Sequence, residues 1–338
     1  MEAGQSGGGD GGATWGGDAR EWDKETCVEL CSRGMRVRSV GKEEFRKKEQ
    51  VWMPLMGLGL SYQQCSYGER EKKALPAIEG ALQCGYRHLD TASRYQTETY
   101  VGAALQKLAQ AGGQAPPLLG SGGVSDRQDV FLTSKLWPAH YNEAERHYEA
   151  ACERMGTSSL DLFLLHWPEP FGSSYRSNRE ARAAVWRKME LLWDAGKCRA
   201  VGVSNFLVEH LSQLEEDCSI LPHVNQVQFS PIYQPRDVMA ACRDLGIVVE
   251  GYSPLAKGRA LGLDSVHSIA SRHSVTAAQV ILRWSLQRNV VTIPKASSAL
   301  HLGQNIDVFG FHLSQEEVES IDREHRGISV TWDPRGIP

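Results

Sequence analysis

The chain has 338 residues, of which 41% are hydrophobic, and a formal net charge of −4. This length suits one barrel domain with an extra segment, and the composition is that of a globular protein. The nearly balanced charge gives no support for a nucleic-acid partner or for an anionic membrane surface. No apolar stretch approaches the length of a membrane span, so we expect no membrane partner.

The first 50 residues differ in composition from the rest of the chain. Residues 1–17 contain eight glycines, and residues 18–50 are heavily charged. Such segments bury too little apolar surface to offset the entropy lost on ordering. We therefore predict an N-terminal extension over residues 1–50 that is largely disordered or weakly structured, with a short helix around Lys24–Arg33. The folded domain is predicted to occupy residues 51–338.

The cysteines and the N-terminus indicate a cytoplasmic protein. Most of the eight cysteines lie inside apolar segments, as reduced, buried thiols do. The N-terminus has no apolar segment of the kind found in secretory signals. Cys27 and Cys31 have the spacing of half a metal site, but no second pair lies nearby. The simpler interpretation is that these cysteines lie one turn apart on a helix, and we predict no metal site.

From about Met53 onward, short apolar segments alternate with segments of helical periodicity. We predict eight strands, at Pro54–Leu60, Arg87–Leu89, Val130–Ser134, Leu160–Leu165, Ala200–Val203, Val224–Gln228, Ile247–Gly251 and Val290–Ile293. Strands that are almost wholly apolar suit a parallel sheet covered by helices. The predicted fold class is therefore α/β, a (β/α)₈ TIM barrel.

Several local signals predict where the helices begin and end. Thr276–Gln279 and Ser314–Glu317 have the sequence of capping boxes, so helices should begin there. Pro76 should limit how far the first helix extends towards the N-terminus. The glycine- and proline-rich segment 110–127 is predicted to be a surface loop.

Four polar residues follow three of the predicted strands: Asp90, Tyr95, Lys135 and His166. The C-terminal ends of barrel strands meet at one face, where active sites lie. A tyrosine, with an ordinary pKa of about 10, becomes a useful general acid when a cation stabilises its phenolate. Lys135 could supply that cation, Asp90 could hold it, and His166 could orient a substrate oxygen. No step of this chemistry needs a metal.

Each of these residues also has an ordinary structural explanation. A lone tyrosine usually fills space, a lone lysine is usually solvated, and Asp90 could simply cap a helix. Taken together these explanations are weak, because four unrelated polar residues would have to occur by chance at the C-terminal ends of three strands of one barrel.

The segment Gly85–Glu98 (GYRHLDTASRYQTE) resembles the signature of the aldo-keto reductases. Four more motifs follow in the family's order, at Leu165–Pro168, Gly202–Phe206, Asn225–Val227 and Ile293–Lys295. The resemblance implies a monomeric barrel that reduces small aldehydes or ketones with NADPH, NADH being possible. It implies that Tyr95 is the general acid, that Lys135 and Asp90 tune it, that His166 orients the carbonyl and that Trp167 lines the substrate pocket.

The same resemblance implies a set of cofactor-binding residues. These are Ser204, Asn205 and Gln226 at the nicotinamide carboxamide, Tyr252 and Ser253 beside its ring, and Lys295, Ser297, Ser298, His301 and Asn305 on the adenosine side. Locally, Ser204 and Asn205 could equally be a helix N-cap, and Lys295 could equally be an exposed surface residue. No GxGxxG motif is present, so the dinucleotide should bind in an extended groove.

The chain departs from the family pattern at the expected cofactor and substrate sites. His301 stands where the family commonly has an arginine at the 2′-phosphate, which leaves the preference for NADPH over NADH open. Leu60–Tyr62 differs from the usual sequence after the first strand, which should alter the mouth of the pocket. We expect the short segment after Trp332 to leave the pocket open to small aldehydes.

Two other functions remain possible on sequence alone. The chain could be a catalytically weak cofactor-sensing or structural protein on the same barrel. It could also be an aldolase that uses Lys135 to form a Schiff base, which would require an uncharged amine. A paired Asp90 argues against the aldolase because it favours the ammonium.

Overall fold

The protein is an α/β barrel, seen in a computed structural model that describes residues 27–30, 51–62, 64–110, 129–169 and 177–338. Within these residues the strands are β1 Cys27–Leu30, β2 Val51–Pro54, β3 Leu58–Gly59, β4 His88–Asp90, β5 Phe131–Leu136, β6 Leu160–Leu165, β7 Cys198–Ser204, β8 Val224–Gln228, β9 Val248–Tyr252 and β10 Val290–Ile293. Strands β3 to β10 form one parallel sheet in chain order. The predicted (β/α)₈ fold is confirmed.

The sheet closes on itself between β3 and β10. Met56, just before β3, forms a parallel bridge with Thr292 of β10. The Gly57 and Gly59 N–H groups donate to the carbonyls of Thr292 and Pro294, at 2.9 and 3.1 Å. A Cβ on Gly59 would lie 2.8 Å from the carbonyl oxygen of Ile293, so only glycine permits this close approach.

Most strands are followed by a helix that lies on the outside of the barrel. The helices are α1 Tyr67–Gln83, α2 Glu98–Gln110, α3 Ala144–Met155, α4 Asn178–Asp194, α5 Val208–Asp217, α6 Arg236–Leu245, α7 Asp264–His273, α8 Ala277–Gln287, α9 Ala299–Ile306 and α10 Gln315–Asp322. Both predicted capping boxes form, at Thr276 before α8 and at Ser314 before α10. Their reciprocal bonds satisfy N–H groups that the first helical turn leaves without partners.

Strands β1 and β2 form an antiparallel hairpin that covers the N-terminal end of the barrel. The side chains that meet there form what we call the N-terminal cluster, namely Leu30, Val51, Met53, Phe131, Leu162, Leu164, Ala200, Val224 and Val291. Each is at most 7% exposed. This end of the barrel is therefore a dry apolar core, sealed by the hairpin.

Three local predictions differ from the structure. Cys27–Leu30 is a strand and not part of a helix, because it pairs with Val51–Pro54. The predicted first strand Pro54–Leu60 is divided between the hairpin and β3. Pro76 lies inside α1, on its exposed side, where water can bond the carbonyl that the proline leaves free. The predictions for residues 1–17 and for most of the 110–127 loop lie outside the described residues.

Candidate active site

The four predicted catalytic side chains meet at the C-terminal end of the barrel. Asp90 is the last residue of β4, and Lys135 lies near the end of β5. His166 directly follows β6, and Tyr95 ends a short 3₁₀ turn at Ser93–Tyr95. Parallel strands place their carboxyl ends at one face, so residues far apart in sequence come into contact there.

Lys135 and Asp90 form a buried ion pair at the centre of this site. The Lys135 Nζ lies 2.6 and 2.7 Å from the two carboxylate oxygens of Asp90 and 2.9 Å from the Thr91 carbonyl. Both side chains are at most 2% exposed. An ammonium has three N–H donors, and all three have partners here. Lys135 is therefore held in one position as a charged group, 4.9 Å from the centre of the Tyr95 ring.

Tyr95 and His166 are hydrogen-bonded to each other. The Tyr95 hydroxyl lies 3.3 Å from His166 Nε2, and the two rings meet edge to face. Burial and the charges of Lys135 and Arg94 hold the pKa of His166 well below its ordinary value, so the ring is neutral. Its Nδ1 has no partner among the described residues. A buried N–H without a partner is costly, which favours placing the ring proton on Nε2.

The pKa of Tyr95 shifts in the direction opposite to our expectation from the sequence. Burial raises it well above its ordinary value, and the carboxyl groups of Asp90 and Glu250 raise it further when they are ionised. The charge of Lys135 is matched by Asp90 at 2.6 Å, so it does not act alone on the phenol. Tyr95 consequently keeps its proton throughout the neutral range, as a proton donor must.

The residues expected at the nicotinamide form a connected group beside this cluster. Asn205 has left-handed backbone geometry, with φ 64°, and its Nδ2 donates to the His166 carbonyl at 3.0 Å. The Ser204 hydroxyl donates to the Gln226 carbonyl at 2.9 Å. The Tyr252 hydroxyl donates to Asn205 Oδ1 at 2.7 Å. The residues that the family resemblance implied at the nicotinamide are therefore adjacent in space, on or directly after β7, β8 and β9.

The residues expected on the adenosine side lie after β10, and Ser253, expected beside the nicotinamide ring, lies directly after β9. Lys295 is exposed, and its Nζ lies 3.3 Å from the Ser61 carbonyl and 5.2 Å from the Tyr62 ring centre. Ser298 caps α9, its hydroxyl accepting from the His301 N–H at 3.2 Å. Ser297 and His301 are exposed, Asn305 is buried and Ser253 is half-buried.

The mouth of the site is lined by tryptophans that the sequence argument largely missed. Trp137 meets His166 edge to face, with 5.2 Å between ring centres. Trp332 lies against both Trp137 and Trp167, at 6.1 and 5.8 Å between ring centres. The Arg94 guanidinium lies over Trp137 at 5.4 Å. Among the three tryptophans and Arg94, only Trp167 was predicted. The available signals were positions in the sequence: Arg94 directly precedes Tyr95, and Trp137 lies three residues after the predicted strand Val130–Ser134.

The segment after Val330 extends across the pocket instead of leaving it open. Gln228 Oε1 accepts from the Val330 N–H and from the Thr331 hydroxyl, at 3.1 and 2.9 Å. Thr331 also bonds the Tyr252 hydroxyl at 3.1 Å. These contacts bring Trp332 over the site, although the segment is short.

A buried polar network beneath the site was also missed. Gln226 Nε2 donates to Asp90 Oδ2 at 2.8 Å and to Glu250 Oε2 at 2.7 Å. His88 Nε2 lies 3.1 Å from Thr133 Oγ1 and 3.5 Å from Glu250 Oε1. Glu250 and His88 were read as parts of apolar strands. The available signal was a charged residue at an inward-facing position, two residues before Tyr252 on the same strand.

The described residues contain no group of three or more His, Cys, Asp or Glu side chains that could hold a metal. None of the helices assigned within those residues is long and apolar enough to cross a membrane.

Most of the chain matches known proteins. Residues 56–325 match the Aldo/keto reductase family. The chain is 36% identical over 295 residues to glyoxal reductase of Bacillus subtilis, covering 87% of this chain and 96% of that one. A Bombyx mori aldo-keto reductase in complex with NADP is 26% identical, with a TM-score of 0.73 and coverage of 83% and 92%. An aldo-keto reductase complexed with NADPH is 27% identical, with a TM-score of 0.74 and coverage of 84% and 88%.

Fold, site and relatives together define an oxidoreductase of the (β/α)₈-barrel type. The chain belongs to the aldo/keto reductase family, the family that its motifs predicted.

Proposed function

We propose that this protein reduces small aldehydes and ketones to alcohols with NADPH, and that Tyr95 donates the proton. The observation that carries the proposal is the Tyr95 hydroxyl 3.3 Å from His166 Nε2, with the Lys135–Asp90 pair behind it. A neutral phenol and a neutral imidazole with its proton on Nε2 give two donors that can meet one carbonyl oxygen.

The protein's own residues polarise, protonate and shield the carbonyl. His166 donates from Nε2 and fixes the orientation of the carbonyl oxygen. Tyr95 gives its proton to that oxygen as negative charge develops, a contribution worth roughly 10²–10⁴-fold in rate. Lys135, held by three hydrogen bonds, stabilises the phenolate that remains. The bound cofactor supplies the hydride that the carbonyl carbon receives.

NADPH is the cofactor that the site and the relatives support, since structural neighbours hold NADP and NADPH. Gln226 Nε2 donates to Asp90 and Glu250, which leaves Gln226 Oε1 as the acceptor for the carboxamide amide. Ser204 and Asn205 would complete the carboxamide site, and the Tyr252 ring would lie against the nicotinamide. Tyr252 ends β9, and Ser253 begins the loop that follows. The residues that would hold the adenosine and its 2′-phosphate are Lys295, Ser297, Ser298, His301 and Asn305.

The aldolase alternative is disfavoured by the geometry of Lys135. A Schiff base needs an accessible, uncharged amine. Lys135 is 1% exposed, and its three donors are bonded to Asp90 and Thr91. A purely structural or cofactor-sensing protein would have no use for a buried ion pair beneath a paired Tyr95 and His166, so we favour the reductase.

Replacing Tyr95 tests the proposal. We expect Tyr95→Phe to lower kcat for a panel of small aldehydes by about 10²-fold or more while NADPH still quenches the intrinsic fluorescence. Oxidation of NADPH at 340 nm measures turnover. Tyr67→Phe, in a side chain that is 71% exposed, is the matched control. A Tyr95→Phe enzyme that retains its turnover would rule out Tyr95 as the donor, and loss of quenching would assign it to cofactor binding.

We also propose that the enzyme acts as a monomer in the cytoplasm and that residues 51–338 form its catalytic domain, with 1–50 as an extension. No disulfide links any of the seven cysteines in the described part of the chain, which suits a reducing compartment.

A further inference from the structure

Glu250 is a buried carboxyl that the proposed mechanism does not use. It lies on β9 inside the barrel, and its side chain is fully buried. Its Oε2 accepts one hydrogen bond, from Gln226 Nε2 at 2.7 Å. Its Oε1 has no hydrogen-bond partner among the described residues, and His88 Nε2 lies 3.5 Å away. A carboxylate oxygen without a donor is costly in a dry interior, so this geometry favours the protonated, neutral form.

The contacts of Gln226 fix which way its side-chain amide points. Its Nε2 lies between Asp90 Oδ2 and Glu250 Oε2, at 2.8 and 2.7 Å. An amide nitrogen has two N–H donors, and both are used by these two carboxyl groups. The reverse orientation would place the amide oxygen against a carboxylate. Glu250 and Asp90 together therefore leave Gln226 Oε1 as the atom that can accept from another molecule.

The charges around Glu250 also favour its neutral form. The titratable groups that face it are Asp90 and His88 from β4, Lys135 from β5 and Tyr95 above them. The single ammonium is already paired with Asp90 through both oxygens. Burial lowers the pKa of His88 to about 3, so it supplies no positive charge. Burial and the charge of Asp90 raise the pKa of Glu250 to about 8.

We propose that Glu250 is a positioning residue whose protonated form holds Gln226 for the cofactor, and that losing this proton lowers reductase activity at alkaline pH. The inference rests on the proposed function. When Glu250 ionises, a second negative charge joins that of Asp90 beneath Tyr95. This charge raises the pKa of Tyr95 and makes the phenol a weaker acid. The ionisation of Glu250 thus makes the acidity of Tyr95 depend on pH. The side-chain amide of Gln226 lies between Glu250 and the Lys135–Asp90 ion pair.

Two substitutions at Glu250 test the inference by separating charge from contact. Glu250→Gln keeps an acceptor for Gln226 but cannot ionise, and Glu250→Leu removes the acceptor. We expect Glu250→Gln to retain kcat/KM at pH 7 within about 3-fold and to move the alkaline decline upward by at least about one pH unit. We expect Glu250→Leu to raise the Kd of NADPH by about 10-fold, the equivalent of one hydrogen bond. Glu316→Gln, at an exposed position, is the control.

A stability measurement tests Glu250 without any turnover. The folded-state pKa of Glu250, about 8, lies above its ordinary value of 4.5, so folding binds a proton between those pH values. Wild-type stability from this group is complete below about pH 4.5 and is lost as the pH rises through about 8. Glu250→Gln removes this dependence, so we expect the Tm difference between variant and wild type to widen from pH 5 to pH 9.

The outcomes can be assigned separately. An alkaline decline in kcat/KM that is the same in wild type and Glu250→Gln would overturn the pH-dependent role. An unchanged NADPH Kd in Glu250→Leu would overturn the positioning of Gln226. A wild type that oxidises no NADPH with any aldehyde would refute the proposed function instead, and the Tm and Kd measurements would still report on Glu250.

Discussion

The two ends of the barrel interior are built from opposite kinds of side chain. The N-terminal cluster is wholly apolar and is sealed by the β1–β2 hairpin. The C-terminal end holds Asp90, Lys135, Gln226 and Glu250, all at most 2% exposed and linked by hydrogen bonds of 2.6–2.8 Å. Strands β5 and β8 supply both ends, through Phe131 and Lys135, four positions apart, and through Val224 and Gln226, two positions apart.

This contrast indicates how stability and chemistry are divided in one core. Apolar burial at one end supplies free energy without directional requirements. Buried charge at the other end is costly and is tolerated because Lys135 and Asp90 are paired and hydrogen-bonded. A polar site of this kind depends on a rigid support, which the sealed apolar end provides. Substitutions at the apolar end should therefore change the free energy of unfolding, whereas substitutions at the polar end should change cofactor binding or kinetics.

The largest effect on stability is expected in the N-terminal cluster. Leu162→Ala removes a fully buried side chain, so we expect a loss of about 2–5 kcal/mol in the free energy of unfolding with kcat nearly unchanged. Chemical denaturation and steady-state kinetics measure the two quantities. Leu191→Ala, at a position 67% exposed, should change stability by no more than about 0.5 kcal/mol. A loss of kcat that matches the loss of stability would contradict the division between the two ends.

A smaller effect is expected at the rim of the polar end, where His301 lies in the first turn of α9. Arginine keeps its charge and can bind a phosphate through two donors, which a neutral histidine cannot. We expect His301→Arg to tighten NADPH binding by about 10-fold and to leave NADH binding unchanged. Fluorescence titration with both cofactors measures this, with the exposed His267→Arg as control. Equal tightening of both cofactors would show that residue 301 lies away from the 2′-phosphate.

The smallest effect is expected at Arg94, which places a positive charge beside the substrate mouth. Arg94 is exposed, lies over Trp137 and has no hydrogen bond or ion pair among the described residues. It is therefore available to a carboxylate on the substrate. We expect Arg94→Gln to lower kcat/KM for 4-carboxybenzaldehyde by about 3–10-fold, while that for 4-methylbenzaldehyde stays constant. An equal change for both aldehydes would remove Arg94 from substrate selection.

Much of the fold and the site was predictable because the relevant signals are local. Apolar segments of strand length, with helical periodicity between them, indicated the eight barrel strands. Asp90, Tyr95, Lys135 and His166 were predictable because each lies at or just after the end of such a segment. The bounds of the predicted first strand, Pro54–Leu60, were wrong because an apolar strand of the hairpin and an apolar strand of the barrel have the same local pattern: Pro54 ends β2, and only Leu58–Gly59 form β3.

The sequence by itself determined the barrel, the family and the four polar residues at the C-terminal end of the barrel, because strand periodicity and short motifs are properties of neighbouring residues. Only the tertiary structure decided that Glu250 shares the Gln226 amide with Asp90, that Trp332 covers the pocket and that the pKa of Tyr95 is raised. These features depend on distances between residues up to 195 positions apart, as Trp137 and Trp332 are. Burial and charge acting through such distances are set by how the strands close into a barrel, which no local pattern encodes.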